Sequence, residues 1–155
     1  MRQKLIRISL LTGAVAVVVA SVAVAQSVTP DRAIKYRQGV MGAQYWHLRF
    51  MNAMVKGDRP FSKEEFLTRA TYVEELSHMA WEGFPPGSDQ GAPTKAKPEL
   101  WKEPAKFKQY QDQFQAAAAK LVAASRTATD VNAVKQPFAD VDKACDNCHS
   151  DFRSK

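Results

Sequence analysis

Only two of the 155 residues are cysteine, which excludes a disulfide-dense scaffold and a four-thiolate zinc site. Glycine is sparse at seven, and none follows Asn or Asp in a hairpin pair. No stretch alternates cleanly between apolar and polar residues, so strand signals are weak. Neither sign of charge dominates: 22 Lys and Arg stand against 16 Asp and Glu, a formal +6 with a pI near 9.4. That excess suggests at first sight a nucleic acid or an acidic partner. Hydrophobic residues at 45% and charged residues at 25% exclude wholesale disorder and a multi-span membrane protein. There is no phosphate loop, nucleophile elbow or pair of carboxylates arranged for acid–base work.

One apolar run is present, and it stands at the N-terminus. Arg2, Lys4 and Arg7 precede the run Ile8 to Val22, and Ala23-Val24-Ala25 follows with small residues. This is the three-part layout of a secretory signal. The run falls short of the roughly 20 residues that span a bilayer, so removal after Ala25 is favoured over a retained anchor. The expected mature domain is 26–155, with no stable membrane span. The first 25 residues hold three basic side chains and no acidic ones, so the mature charge falls to +3. A nucleic-acid partner is then not expected, and export places the protein in the periplasm.

The remainder reads as four helices. Ile34, Met41, Tyr45, Leu48 and Val55 mark the first, which Gly57-Asp58-Arg59-Pro60 ends. Ser62 and Glu65 form a capping box for the second, flanked by Phe61 and Phe66. Phe66, Ala70, Val73 and Ala80 continue its apolar face, and Gly83 closes it. Seven of the 16 residues 83–98 are Gly or Pro, a segment expected to cross the surface as an ordered loop. A third helix carries Phe107, Tyr110, Phe114, Ala117 and Leu121. A fourth starts near Asp130 with Val134, Phe138, Val141, Cys145, Cys148 and Phe152, and Pro137 is expected to kink it or to mark its first turn. The predicted fold is all-α: an antiparallel up-down-up-down four-helix bundle.

Both cysteines and one of the three histidines fall in Cys145-Asp146-Asn147-Cys148-His149. Cys-x-x-Cys-His is the attachment pattern of c-type haem. On a helix, offsets of three and four place both thiols and the imidazole on one face. The thiols then reach the two vinyl groups of a porphyrin, and the imidazole reaches its iron. Three other readings compete. A thioredoxin-like dithiol wants a strand before the pair. A zinc site needs a fourth ligand, for which only His47 and His78 remain. A structural disulfide suits helical i,i+3 spacing poorly and leaves the histidine idle. His47 is otherwise expected at the surface or an interface, His78 at a helix end, Glu74 and Glu75 on a solvated face, and Trp46, Trp81 and Trp101 in packing roles.

The placement of the motif at the end of the last helix resembles cytochrome c′, the class II cytochromes c. Tyr36-Arg37-Gln38, Gly83-Phe84-Pro85-Pro86-Gly87-Ser88 and Pro98-Glu99-Leu100-Trp101, which is expected to open the third helix, strengthen the resemblance, which spans the mature chain. It implies one haem c held by Cys145 and Cys148 through thioethers, with His149 as the proximal iron ligand. It further implies that Arg37 and Gln38 lie beside the haem and its propionates, and that Ser88 and Asp89 lie near the haem edge. Arg153 would flank the proximal face. Bidentate pairing with a carboxylate gives a guanidinium a physical reason to be there.

The resemblance also sets Met41 over the distal face of the iron, with two outcomes. Met41 shields a five-coordinate iron that takes NO or CO after displacement of the side chain, or it ligates the iron, raising the reduction potential. Two functions follow: a periplasmic carrier of single electrons between Fe(II) and Fe(III), or a module that sequesters or senses gas. An enzyme is the weakest expectation, since Val40 and Tyr45 offer little acid–base chemistry beside Met41. The resemblance implies a homodimer through the first two helices, for which Trp46, Phe50 and Met54 form a second apolar stripe. Redox partners in the periplasm are expected but not identified.

Overall fold

The computed structural model describes residues 28–155; the expected export signal over 1–25 lies outside them. Four long helices form the bundle: α1 (Pro30–Lys56), α2 (Lys63–Ser77), α4 (Pro104–Thr127) and α5 (Asn132–Phe152), with a four-residue α3 (Glu99–Lys102) between α2 and α4. α2 packs on α1 and α4, and α4 packs on α5, so neighbours in sequence are neighbours in space. No helix among the described residues is long and apolar enough to cross a membrane.

Local chemistry explains the boundaries. Pro30 opens α1, where its missing N–H would have had no partner. Gly57 ends it in the left-handed region at φ 83°, and its N–H returns to the Met54 carbonyl. Ser62 caps α2 by accepting from the Glu65 N–H at 3.3 Å, as the capping box predicts. α2 stops at Ser77 rather than Gly83, and a 3-10 turn over Ala80–Gly83 follows. His78 is the C-cap residue of α2, with its Nε2 3.2 Å from Glu74.

The third predicted helix is split. Glu103 leaves the helical region at φ −118°, ψ 56°, and Pro104 restarts the chain as the first residue of α4. The ring of a proline disfavours helical backbone in the residue before it, so Pro98-Glu99-Leu100-Trp101 belongs to a separate turn. α5 begins two residues after Asp130, whose Oδ1 accepts from the Asn132 N–H at 2.7 Å. Pro137 neither ends nor starts that helix, which runs through it without a break. The hydrogen bond it forfeits would fall on Ala133 in the first turn, where the loss is smallest.

The core between the helices holds Met51, Met54, Phe66, Ala70, Val73, Phe114, Leu121, Val134, Phe138 and Val141. Met54 therefore belongs to the interior and not to an outer stripe with Trp46 and Phe50. Tyr45, expected on the core face, is 65% exposed; Met41 and Leu48 are half-buried. All three line a cavity, and Leu48 packs against the core as well.

Candidate functional site

α1, α4, α5 and the long loop enclose a cavity of about 940 Å³, at the upper end of the range for small-molecule and cofactor sites. α5 contributes Cys145, Cys148 and His149 to its wall, with Arg153 just beyond its end; α1 contributes Gln38, Met41, Gln44, Tyr45 and Leu48. Trp81, Phe84, Phe107 and Tyr110 supply aromatic surface. Trp81 and Phe84 stand edge-on to Phe107, at 5.6 and 5.1 Å between centroids, the favoured geometry for aromatic pairs. The sequence set Phe107 and Tyr110 on one face of the third helix; both line the cavity.

The helical register brings the two thiols and the imidazole to the same wall. The two cysteines form no disulfide with each other. Burial, reinforced by Asp142 and Asp146, pushes the Cys145 thiol up to about 12. Burial and Asp151 push Cys148 up to about 11. Thiolates are the reactive form of cysteine, and burial opposes their formation at both positions. Burial, then Arg153, lowers the pKa of His149, which keeps an imidazole lone pair available to a metal.

The end of α5 is tied down by the loop. The Lys97 N–H donates to the Phe152 carbonyl at 2.9 Å, and the Ser154 N–H to the Lys95 carbonyl at 2.8 Å. Ala96 and Arg153 form an isolated antiparallel bridge. The Lys97 ammonium adds bonds to the carbonyls of Ser150 and Asp151 at 3.3 and 3.0 Å. Tyr110 donates to the Asp151 carboxylate at 2.6 Å and Lys106 pairs with it at 2.8 Å, which together hold that carboxyl below its usual range. His149 thus sits on a helix end braced from two sides. No motif announced this bracing, because it joins residues more than 40 positions apart.

Arg37 and its neighbours tie the long loop to α1. Arg37 is 2% exposed and is absent from the cavity wall. Its Nη1 donates to the Gly83 carbonyl at 2.9 Å and Ser88 Oγ at 2.8 Å. Its Nη2 donates to the Ser88 carbonyl at 2.7 Å and Thr94 Oγ1 at 2.8 Å. The four terminal N–H groups each have a partner, and together they anchor the loop. Ser88 is buried in that anchorage, outside the wall, and Asp89 lies near enough to favour the guanidinium charge. Gln38 does line the cavity, with its Nε2 donating to the Pro93 carbonyl at 2.9 Å.

Comparison with known proteins gives this arrangement a family. The family model for cytochrome c′ matches residues 32–153. The chain belongs to the cytochrome c′ family. It is 35% identical over 130 residues to cytochrome c′ of Alcaligenes xylosoxydans xylosoxydans, covering 84% of this chain and 99% of that one. The structure of cytochrome c prime from Shewanella frigidimarina superposes with a TM-score of 0.78 at 38% identity, over 82% of this chain and 98% of its own. A ferrous arginine-to-lysine variant from Alcaligenes xylosoxidans, described with bound NO, superposes at 0.75 with 33% identity, over 82% and 97% of the two chains.

Membership of the cytochrome c′ family makes haem c the cofactor, and the residues present fit it. Two thiols and an imidazole share one helical face, and that face opens on a large aromatic-walled cavity. Gln44 also lines the cavity, and its Nε2 is buried with no hydrogen-bond partner.

Proposed function

We propose that this chain is an exported, periplasmic haem c protein that passes single electrons. The observation that carries the reading is that Met41 of α1 and His149 of α5 line one cavity. Haem c bound there supplies an iron that alternates between Fe(II) and Fe(III). Cys145 and Cys148 hold the group, and His149 offers an imidazole from a braced helix end. Met41 offers a thioether sulfur from the facing helix. Trp81, Phe84 and Phe107 keep water from the wall. Neither Met41 nor Gln44 is an acid–base group, which supports a carrier over an enzyme.

The visible spectrum of the purified ferric protein at neutral pH tests the role of Met41. The expected spectrum is low-spin, turning high-spin in Met41→Ala with a fall in reduction potential. A clean high-spin spectrum in the unsubstituted protein would sink Met41 ligation.

A second reading, capture of NO or CO, has its own support. The partnerless Gln44 amide adds a polar group to the wall beside Met41, and a relative is described with bound NO. Tight binding of CO to the ferrous protein favours this reading; fast reversible reduction favours the carrier. We also infer that two copies pair through the α1–α2 face.

A further inference from the structure

Gln44 stands three residues after Met41, so the two project from the same side of α1 with their Cβ atoms about 5 Å apart. Gln44 is 8% exposed, lines the cavity, and its Nε2 is buried without a hydrogen-bond partner. A carboxamide carries two donors and an acceptor, and leaving a buried one unmet is costly. The other amide in that wall, Gln38, is already spent on Pro93. The other partnerless buried nitrogen, His47 Nδ1, belongs to a residue outside the wall, against the ring of Tyr72 at 4.9 Å. Gln44 is therefore the unspent buried donor next to Met41. Rotation about the terminal bond of the side chain exchanges its oxygen and nitrogen, so the donor turns toward the cavity without moving the helix.

We propose that Gln44 is the hydrogen-bond donor for a small diatomic ligand, CO or NO, held beside Met41 at the haem. The proposal rests on the gas-binding reading. The outer atom of such a ligand gains negative charge when it binds ferrous iron, and an N–H aimed at it stabilises that charge. Donors at this side of a haem decide how firmly small ligands are held. An apolar residue at position 44 fills the space and offers no such bond.

The test uses haem-loaded protein and CO as the probe. The C–O stretching frequency and the CO dissociation rate are measured for Gln44→Leu and Gln44→Met, each alone and combined with Met41→Ala. The flexible methionine preserves side-chain length and guards against a packing defect in the leucine variant; helicity by circular dichroism checks both folds. The expected result is a rise in the stretching frequency and dissociation about 5-fold faster, the scale of one lost hydrogen bond. An unchanged frequency and rate in both variants overturns the assignment. Failure of CO to bind with Met41 in place defeats the gas-binding reading alone; the comparison within Met41→Ala then still decides the role of Gln44.

Discussion

Arg37 carries a full charge at 2% exposure and forms no ion pair among the described residues. Burial lowers its pKa, with Asp89 acting the other way. Desolvation of a charge is expensive unless hydrogen bonds replace the lost water, and here four replace it. The guanidinium also lies over the rings of Phe84 and Trp101, 4.7 and 5.7 Å from their centroids, where the ring quadrupole favours a cation. Removing it strands two carbonyls and two hydroxyls in one place. Arg37→Ala is expected to lower stability by about 3 kcal/mol in urea unfolding of the haem-loaded protein. Arg37→Lys should recover only part, because an ammonium lacks the planar fork. The haem spectrum of both folded variants should stay unchanged. A shifted spectrum with undiminished stability would show that the side chain acts on the haem rather than on the loop.

At the scale of elements, the loop reaches α1 at one point of very close approach. A Cβ built on Gly83 would lie 2.6 Å from the Arg37 Cβ and 3.1 Å from the Arg37 backbone nitrogen. The second contact is to a helix backbone that cannot swing aside. Gly83→Ala should therefore cost about 1–3 kcal/mol through overpacking, read as a lower denaturation midpoint with the α-helical signal retained. The sequence marked this glycine as the end of a helix; it shows composition and order, but not which backbones meet. α1 teaches the same lesson. Its periodic stripe was visible, yet Met41, Tyr45 and Leu48 face the cavity while Met51 and Met54 enter the core. Periodicity reports which side of a helix is apolar, not what fills the space in front of it. The motif on α5 was fully legible because covalent spacing and helical geometry are both local. Gln44 was missed because a single glutamine within an apolar stripe gives no signal until its surroundings are known.

For the whole molecule, the surface is unevenly apolar. Trp46 of α1 is 55% exposed, and Tyr72 of α2 and Met79 beyond it are 46% and 45% exposed. The described parts of α4 and α5 add no large exposed hydrophobic residue. Trp46 stands edge-on to Phe50 at 5.1 Å, and Arg69 covers the other ring at 3.9 Å. The arginine positions Phe50 but leaves the indole uncovered. A large exposed apolar patch on one side of a small domain is a mark of an interface, and a face that meets its own copy about a two-fold axis buries each such residue twice. The mature haem-loaded chain is therefore expected to sediment as a dimer. Trp46→Glu places a carboxylate in each half of that contact and should give a monomer with the same haem spectrum. An unsubstituted protein that remains monomeric at high concentration would show that the aromatic face serves some other purpose than self-association.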